Sequence, residues 1–232
     1  MRFLDAGILI GIATGRGKSI RALLCDKIGD LDLQSRVVVG YYNGADVGLL
    51  IDDSHPDQSE NPCDALRSVA EALAAAPQML REVRCTIRPW QLTLEHDSAT
   101  AGTLVWDVVQ QVVHMVAPHY GLSVVRSGHS VDILAPGVSK HTLVDHVRGL
   151  VGHRQGSVLC IGDQGQWPGN DYALLAEPFS LSVDTVSSDP QTCWNLAVPG
   201  YRGVQALLGY LSSVSIQGDT ARITMHNHEK VQ

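Results

Sequence analysis

The sequence lacks the features that mark several large protein classes. Its five cysteines are odd in number, widely spaced and free of any Cys-x-x-Cys pair, so neither a disulfide framework nor a zinc site is predicted. The longest apolar run, Gly7 to Ala13, is far too short to span a bilayer, and the N-terminus has no secretory signal pattern. We therefore expect a protein of the reducing cytoplasm with no membrane segment.

An excess of positive charge is also lacking. Lysine and arginine number 17 against 24 acidic residues, which gives a formal net charge of -7, and the basic residues are scattered along the chain. This distribution argues against nucleic acid as the main partner. The 232 residues suffice for one large domain or for a core with a smaller inserted one. The sequence leaves the oligomeric state open.

Short apolar strands that end in polar residues are what the sequence does contain. They are predicted at residues 8–13, 37–42, 131–134, 158–161 and 179–183. Helices are predicted at about 18–28, after Lys140 and at 201–213, and a hairpin around Gly218 and Asp219. This alternation is typical of an open parallel sheet with its site at the carboxyl ends of the strands.

The middle of the chain has a different pattern. A strand at residues 47–51 and a polar loop at 52–62 precede two helical stretches, 64–83 and 102–119, which alternate with extended segments at 86–95 and 122–126. We predict a core formed by residues 1–44 and 131–232 and an α+β cap domain over residues 45–130. The fold class is then α/β, a Rossmann-like parallel sheet with an inserted α+β cap.

A glycine-rich turn follows the first strand. The stretch from Gly11 to Ser19 has the strand, glycines, Lys-Ser and helix of an NTPase phosphate loop, with Asp52 and Asp53 as the acidic partner, but its spacing is one residue too long. The shorter segment Ile12-Ala13-Thr14-Gly15-Arg16 instead offers a hydroxyl and backbone N–H groups before a helix. Those groups suit a phosphoryl oxyanion.

Three further segments carry polar residues after a strand. The segment Asn43-Gly44-Ala45 either directs the Asn43 side chain towards an active site or forms a plain Asn-Gly turn. Lys140 opens a helix and could neutralise phosphoryl charge. The loop from Ile161 to Asp171 has two aspartates, Asp163 and Asp171, whose hard oxygen atoms suit magnesium, one directly and one through water.

In their order, these segments resemble the second, third and fourth motifs of the haloacid dehalogenase superfamily. The resemblance covers residues 1–44 and 131–215 and implies a Mg²⁺-dependent phosphatase of a small phosphorylated metabolite such as a sugar phosphate. It also assigns roles. Thr14 and Lys140 act on the phosphoryl group, Asp163 and Asp171 hold the metal, and the remaining substrate contacts come from Gly15, Arg16, Asn43 and Asn170.

The chain departs from the family pattern in two places. His141 stands where a glycine often follows the lysine, and six residues separate Asp163 from Asn170-Asp171, more than in many members. The longer spacing is similar to that of eukaryotic-type phosphomannomutases, so a phosphosugar mutase is an alternative. The arginine-rich cap segment expected for mannose phosphates is not found. Within the cap, Arg84, Arg88, Trp90 and His96 are substrate candidates only because they are polar or aromatic.

The family's nucleophile is not found in the chain. The resemblance places it in an Asp-x-Asp motif that ends a central strand upstream of Thr14, whereas Asp5 lies in a segment read as the end of a helix. The absent aspartate would attack phosphorus, its partner would protonate the leaving oxygen, and a phospho-aspartate would be hydrolysed. We expect a chain that starts downstream of that motif, or else an inactive remnant that binds a partner or ligand.

Overall fold

A computed structural model describes residues 1–57, 60–75, 83–151, 158–218 and 220–224 of the chain. The chain divides into two compact units. The first unit comprises Met1–Arg154 and Pro168–Asn170, and the second unit comprises Gln155–Trp167 and Asp171–Gln232.

The first unit contains six helices and seven strands among its described residues. The helices are α1 (Arg2–Asp5), α2 (Lys18–Lys27), α3 (Leu31–Gln34), α4 (Asp64–Ala74), α5 (Ala99–Val116) and α6 (His141–Val151). The strands are β1 (Ile10–Ala13), β2 (Val37–Tyr41), β3 (Asp46–Leu49), β4 (Arg84–Arg88), β5 (Gln91–Glu95), β6 (Ser123–Arg126) and β7 (Ser130–Leu134).

A three-stranded sheet forms one layer of this unit, in the order β1-β2-β3. β1 and β2 are parallel, and β3 runs antiparallel to β2. Successive side chains of β2 point to opposite faces. Val37 and Val39 pack with residues of α2, while Val38 packs with Leu143 and Val147 of α6. Burial on both faces explains why β2 is apolar throughout.

One edge of β1 pairs with no strand among the described residues. On its paired edge, the Ile10 N–H donates to Arg36 at 3.0 Å and the Thr14 N–H donates to Gly40 at 2.9 Å. Successive N–H groups of a parallel strand point to opposite sides. The N–H groups of Gly11 and Ala13 therefore face the edge away from β2.

A four-stranded antiparallel sheet, in the order β4-β5-β7-β6, forms the other layer of the first unit. Leu92, Leu94, Val131 and Ile133 point to one face and form a core with α4 and α5. The alternate residues point to the opposite face, here called the polar sheet face. By strand register it comprises Arg84, Thr86, Arg88, Gln91, Thr93, Glu95, Ser130 and Asp132, together with Leu134 of β7 and Ser123 and Val125 of β6.

The second unit contains β8 (Cys160–Gln164), α7 (Tyr172–Leu175), β9 (Ser180–Thr185), α8 (Gly203–Ser213), β10 (Val214–Gln217) and β11 (Thr220–Ile223). β8 and β9 are parallel, and β10 and β11 form an antiparallel hairpin. Leu181 and Val183 of β9 pack against Ala206 and Tyr210 of α8. The Tyr210 hydroxyl donates to the Ser182 carbonyl and accepts the Leu196 N–H, both at 2.9 Å.

The observed fold confirms the α/β class, with parallel strands β1 and β2 and β8 and β9. The expectation that residues 131–134 form a core parallel strand is wrong, because β7 lies between β5 and β6 in the antiparallel sheet. Asp132 makes one side of this strand polar, which suits a sheet covered by helices on one face only.

The lengths of several elements differ from the predictions. The extended segment 86–95 is a hairpin of β4 and β5. The helix predicted over 64–83 is observed as α4, and residues 76–82 lie outside the described part. The terminal hairpin is confirmed, although Asp219 lies outside that part as well. None of the described helices has the length and apolar character needed to cross a bilayer.

Candidate functional site

The turn after β1 carries Thr14, Gly15 and Arg16. Backbone hydrogen bonds tie it to the end of β2, since the Thr14 N–H donates to Gly40 at 2.9 Å and the Tyr42 N–H donates to Arg16 at 3.3 Å. The Thr14 Oγ1 accepts the N–H of Arg16 at 3.1 Å. The turn leads into α2, whose first N–H groups have no partner within the helix.

Asn43 lies in the 3₁₀ turn that follows β2. Its φ of 60° and ψ of 31° place it in the left-handed region, which asparagine tolerates better than most residues. Its N–H donates to the Thr14 carbonyl at 2.8 Å, and the residue is only 1% exposed. Asn43 and Thr14 thus meet because β1 and β2 are parallel neighbours and end at the same edge.

Lys140 directly precedes α6 and is 7% exposed. The loop that carries it packs closely on Gly44, whose φ is +87°. A Cβ at Gly44 would lie 2.2 Å from the Ser139 carbonyl oxygen and 3.3 Å from the Lys140 Cα. The lysine backbone is therefore fixed against the turn that holds Asn43. The adjacent His141 instead faces its own helix, with its Nδ1 at 3.1 Å from the Asp145 carboxylate.

Sequence reasoning missed a buried group of polar residues beside this turn. The Asn43 Nδ2 donates to the Gln91 Oε1 at 3.0 Å and to the Asp132 Oδ2 at 3.4 Å. The Gln91 Nε2 donates to the Asp132 Oδ1 at 3.1 Å and to the Thr93 Oγ1 at 2.6 Å. We call these four residues the Asn43 network. Three of them belong to the polar sheet face, and alternation along β5 and β7 was the signal that could have revealed them.

Gly15 lies against the same network. A Cβ at this position would be 3.4 Å from the Asn43 Nδ2, 3.7 Å from the Asp132 Oδ2 and 3.8 Å from the Gln91 Nε2. The backbone of the Thr14 turn thus packs directly on three buried polar side chains. The four-stranded sheet contacts the turn at this point.

Asp132 is a carboxyl group in an unusual environment, 4% exposed. Burial raises its pKa, because desolvation penalises the charged form. Hydrogen bonds from Thr93 and Asn43, and the positive charges of Lys140 and Arg88, act in the opposite direction.

The second unit carries the two aspartates predicted to hold metal. Asp163 lies in β8 and is exposed, whereas Asp171 is buried just before α7. The Asp171 Oδ2 accepts the N–H of Asp163 at 2.9 Å and that of Gln164 at 3.4 Å. A Cβ at Gly162 would lie 2.6 Å from the same oxygen. Asp171 therefore fixes the backbone that presents the Asp163 carboxylate.

Asn170, predicted to contact substrate, belongs to the first unit. Its N–H donates to the Arg126 carbonyl at 3.0 Å, and the Arg126 N–H donates to Pro168 at 2.9 Å. Residues 168–170 thereby continue the edge of the four-stranded sheet at β6, where Gly169 bridges to Arg126. The backbone position of Asn170 is fixed by this pairing.

The donors of the Asp163 loop fit magnesium in their chemistry. The carboxylate oxygens of Asp163 are hard ligands, and magnesium keeps several water molecules in its shell. Within the described residues, no three His, Cys, Asp or Glu side chains are grouped so as to hold a metal ion. The Asp163 carboxylate is therefore of the ligand type that magnesium prefers, and a metal bound there would depend on water for much of its coordination shell.

The remaining substrate candidates, on or next to the strands of the four-stranded sheet, differ in their burial. The Arg88 guanidinium is 5.7 Å and the Trp90 ring 6.0 Å from the centre of the Tyr42 ring. Arg84 is exposed at the other end of β4. His96 is buried, and its Nδ1 has no hydrogen-bond partner among the described residues.

No protein-family model matches the sequence, and no curated protein matches it either. Solved structures do match the fold. A sucrose-phosphatase from Synechocystis sp. PCC6803, solved with sucrose and phosphate, is similar with a TM-score of 0.56 and 17% identity, over 88% of this chain and 83% of that one.

Two other phosphatases have a comparable likeness. The C-terminal domain of a trehalose-6-phosphate phosphatase from C. albicans has a TM-score of 0.54 at 16% identity, over 81% of this chain and 72% of that one. A sugar phosphatase of haloacid dehalogenase subclass IIB has a TM-score of 0.52 at 18% identity, over 78% of this chain and 77% of that one. The protein has the fold of the haloacid dehalogenase-type phosphatases.

Proposed function

We propose that the protein is a Mg²⁺-dependent phosphatase of the haloacid dehalogenase type, acting on a small phosphorylated metabolite, a sugar phosphate in the first instance. The observation that carries this proposal is the meeting of the Thr14 turn, Asn43 and the Lys140 loop in the first unit. These groups combine a hydroxyl, backbone N–H donors and a cation, which together suit a phosphoryl group.

Thr14 is the residue that would contact the phosphoryl oxygens directly. Its Oγ1 accepts the N–H of Arg16, which orients the hydroxyl and leaves the hydroxyl proton for a phosphoryl oxygen. Lys140 would neutralise negative charge from the base of the site, and its burial strengthens that interaction. Gly15 and Asn43 would line the turn, and the exposed Arg16 could reach the outer side of the substrate.

Asp163 would hold the magnesium ion, with water filling much of its coordination shell. The bound ion supplies positive charge to the phosphoryl oxygens. Asp171 would act through the Asp163 loop, whose backbone its carboxylate fixes, and through a water molecule on the metal. Asn170 would contact the substrate from its fixed position beside β6. The family resemblance implies an aspartate nucleophile, a role that none of the residues named here fills.

The polar sheet face supports a hydroxyl-rich substrate. Away from the buried Gln91, Thr93 and Asp132, this face carries the hydroxyl groups of Thr86 and Ser130 and the charges of Arg84 and Glu95, which suit recognition of a sugar. The phosphatases with a similar fold are described as acting on sucrose or trehalose phosphates or on sugar phosphates. The free state of all five cysteines is compatible with a cytoplasmic enzyme.

The test is an assay of inorganic phosphate released from a panel of sugar phosphates, with and without Mg²⁺. The 232-residue chain and its single-residue variants are assayed under the same conditions. Thr14→Val should lower turnover about a hundredfold, because it removes one oxyanion donor at constant volume. Asp163→Asn should lower the affinity for Mg²⁺. The control is Asp26→Asn, which alters an exposed carboxylate that pairs with Lys27.

The results separate the proposed function from its alternatives. Equal turnover by the unmodified protein and Asp163→Asn would remove the metal assignment. Isomerised sugar phosphate without phosphate release would identify a mutase. No turnover by the chain, combined with tight binding of the phosphate ester, would identify a binding protein.

A further inference from the structure

The Asn43 network joins two parts of the first unit that are far apart in the chain. Gln91 and Asp132 come from neighbouring strands of the four-stranded sheet, whereas Asn43 follows β2 of the three-stranded sheet. Asn43 and Asp132 are 89 positions apart, and both are almost fully buried. Burying so many polar groups is unfavourable unless they satisfy one another, so the geometry of each depends on the others.

The network also fixes which way the Asn43 amide points. Its nitrogen has two acceptors, the Gln91 Oε1 and the Asp132 Oδ2. Its oxygen has no partner among the described residues. Reversing the amide would set its oxygen against both of those acceptors and cost two hydrogen bonds. The orientation of Asn43 is therefore dictated from the four-stranded sheet.

The orientation of Asn43 bears directly on the Thr14 turn. Its backbone N–H holds the Thr14 carbonyl, and its side-chain nitrogen lies 3.4 Å from where a Gly15 Cβ would be. The left-handed backbone of Asn43 puts both groups on the turn at once. A shift of this side chain would therefore be transmitted to Thr14 and Gly15, because a packed interior has no free volume to absorb it.

From this geometry we infer that Asp132 and Gln91 are positioning residues for the Thr14 turn. They hold Asn43, and Asn43 holds the backbone that would bind a phosphoryl group. The four-stranded sheet is then part of the phosphate-binding apparatus as well as a surface for the rest of the substrate. The phosphate-binding half of this inference rests on the proposed function, whereas the ordering of the turn does not.

The experiment compares Gln91→Met and Asp132→Asn with Val105→Ala, a control in the apolar core formed with α5. Amide hydrogen exchange is measured on the ligand-free chain at residues 14–16. Both network variants should raise exchange there about tenfold, the equivalent of one hydrogen bond, whereas the control should raise exchange only in the sheet and helices around α5. Gln91→Met keeps the volume and carries the test if Asp132→Asn does not fold.

Binding of inorganic phosphate in the presence of Mg²⁺ gives the second measurement. The network variants should weaken it about tenfold, and the control should not. Unchanged exchange at residues 14–16 in Gln91→Met would overturn the inference, as would equal effects in Val105→Ala. If the exchange changes as expected but even the unmodified protein binds no phosphate, positioning of the turn stands and the proposed function fails.

Discussion

Replacing Gly44 by alanine should destabilise the first unit and displace the Lys140 loop. The φ of +87° costs a non-glycine residue about 1–2 kcal/mol. The new Cβ would meet the Ser139 carbonyl oxygen at 2.2 Å, and relieving such a contact in a packed interior costs about 1–3 kcal/mol more. The free energy of unfolding should therefore fall by about 2–5 kcal/mol in total.

Gly137, in the loop that carries Lys140, offers a matched control. Its φ is +79°, but an added Cβ would meet no atom within 4 Å. Gly137→Ala should therefore cost only the backbone part, about 1–2 kcal/mol. Urea denaturation followed by circular dichroism measures both variants, and the difference between them isolates the contact with Ser139. Equal losses of stability would refute the reasoning that Gly44 and the Lys140 loop are packed backbone against backbone.

Four further predictions concern single hydroxyl, carboxyl and amide groups. The buried Tyr41 hydroxyl has no partner among the described residues, and burial raises its pKa to about 12, so Tyr41→Phe should stabilise by about 1 kcal/mol in thermal denaturation. Tyr210→Phe, which loses the hydroxyl contacts with Ser182, Leu196 and Asn195, should destabilise by about 1–3 kcal/mol, and a shift of both variants in the same direction would contradict this account. Burial raises the pKa of Asp132, so the folded state keeps this proton at pH values where the unfolded state has lost it. Asp132 therefore stabilises the folded state fully below the ordinary carboxyl pKa of about 3.9, and this stabilisation is lost as pH rises through the raised pKa. Asp132→Asn should make the free energy of unfolding less dependent on pH over this range. An unchanged slope in pH-dependent denaturation would contradict the prediction. Amide hydrogen exchange should be faster at Gly11 and Ala13 than at Ile10 and Ile12, because only the N–H groups of Ile10 and Ile12 face β2. Uniform protection along β1 would mean that its second edge is also paired.

Much of the parallel part of the fold can be predicted from the sequence. The strands before Thr14 and Asn43 are short, apolar and followed by polar residues, and the carboxyl ends of adjacent parallel strands must meet at one edge. The contact between the two residues follows from that rule once β1 and β2 are neighbours. Likewise, a buried asparagine in a left-handed turn is readable from Asn-Gly after a strand.

The position of β7 could not be predicted in the same way. Val131 to Leu134 is apolar enough to pass for a core parallel strand, and its partners, β5 and β6, come from a hairpin and from the segment after a long helix. Only Asp132 distinguishes it, because an acidic residue in mid-strand implies that one face is not covered by helices. Its partner Gln91 is 41 positions away, a distance at which periodicity carries no information.

The polar sheet face is unequal along its length. Its Gln91 and Asp132 end is committed to the Asn43 network, whereas Arg84 and Glu95 at the far end are exposed. The two ends of this face therefore differ in how substitutions there would affect the rest of the first unit. Substitutions at the far end should leave the turn after β1 undisturbed, whereas substitutions near Gln91 would also disturb the Asn43 network and, through it, the Thr14 turn.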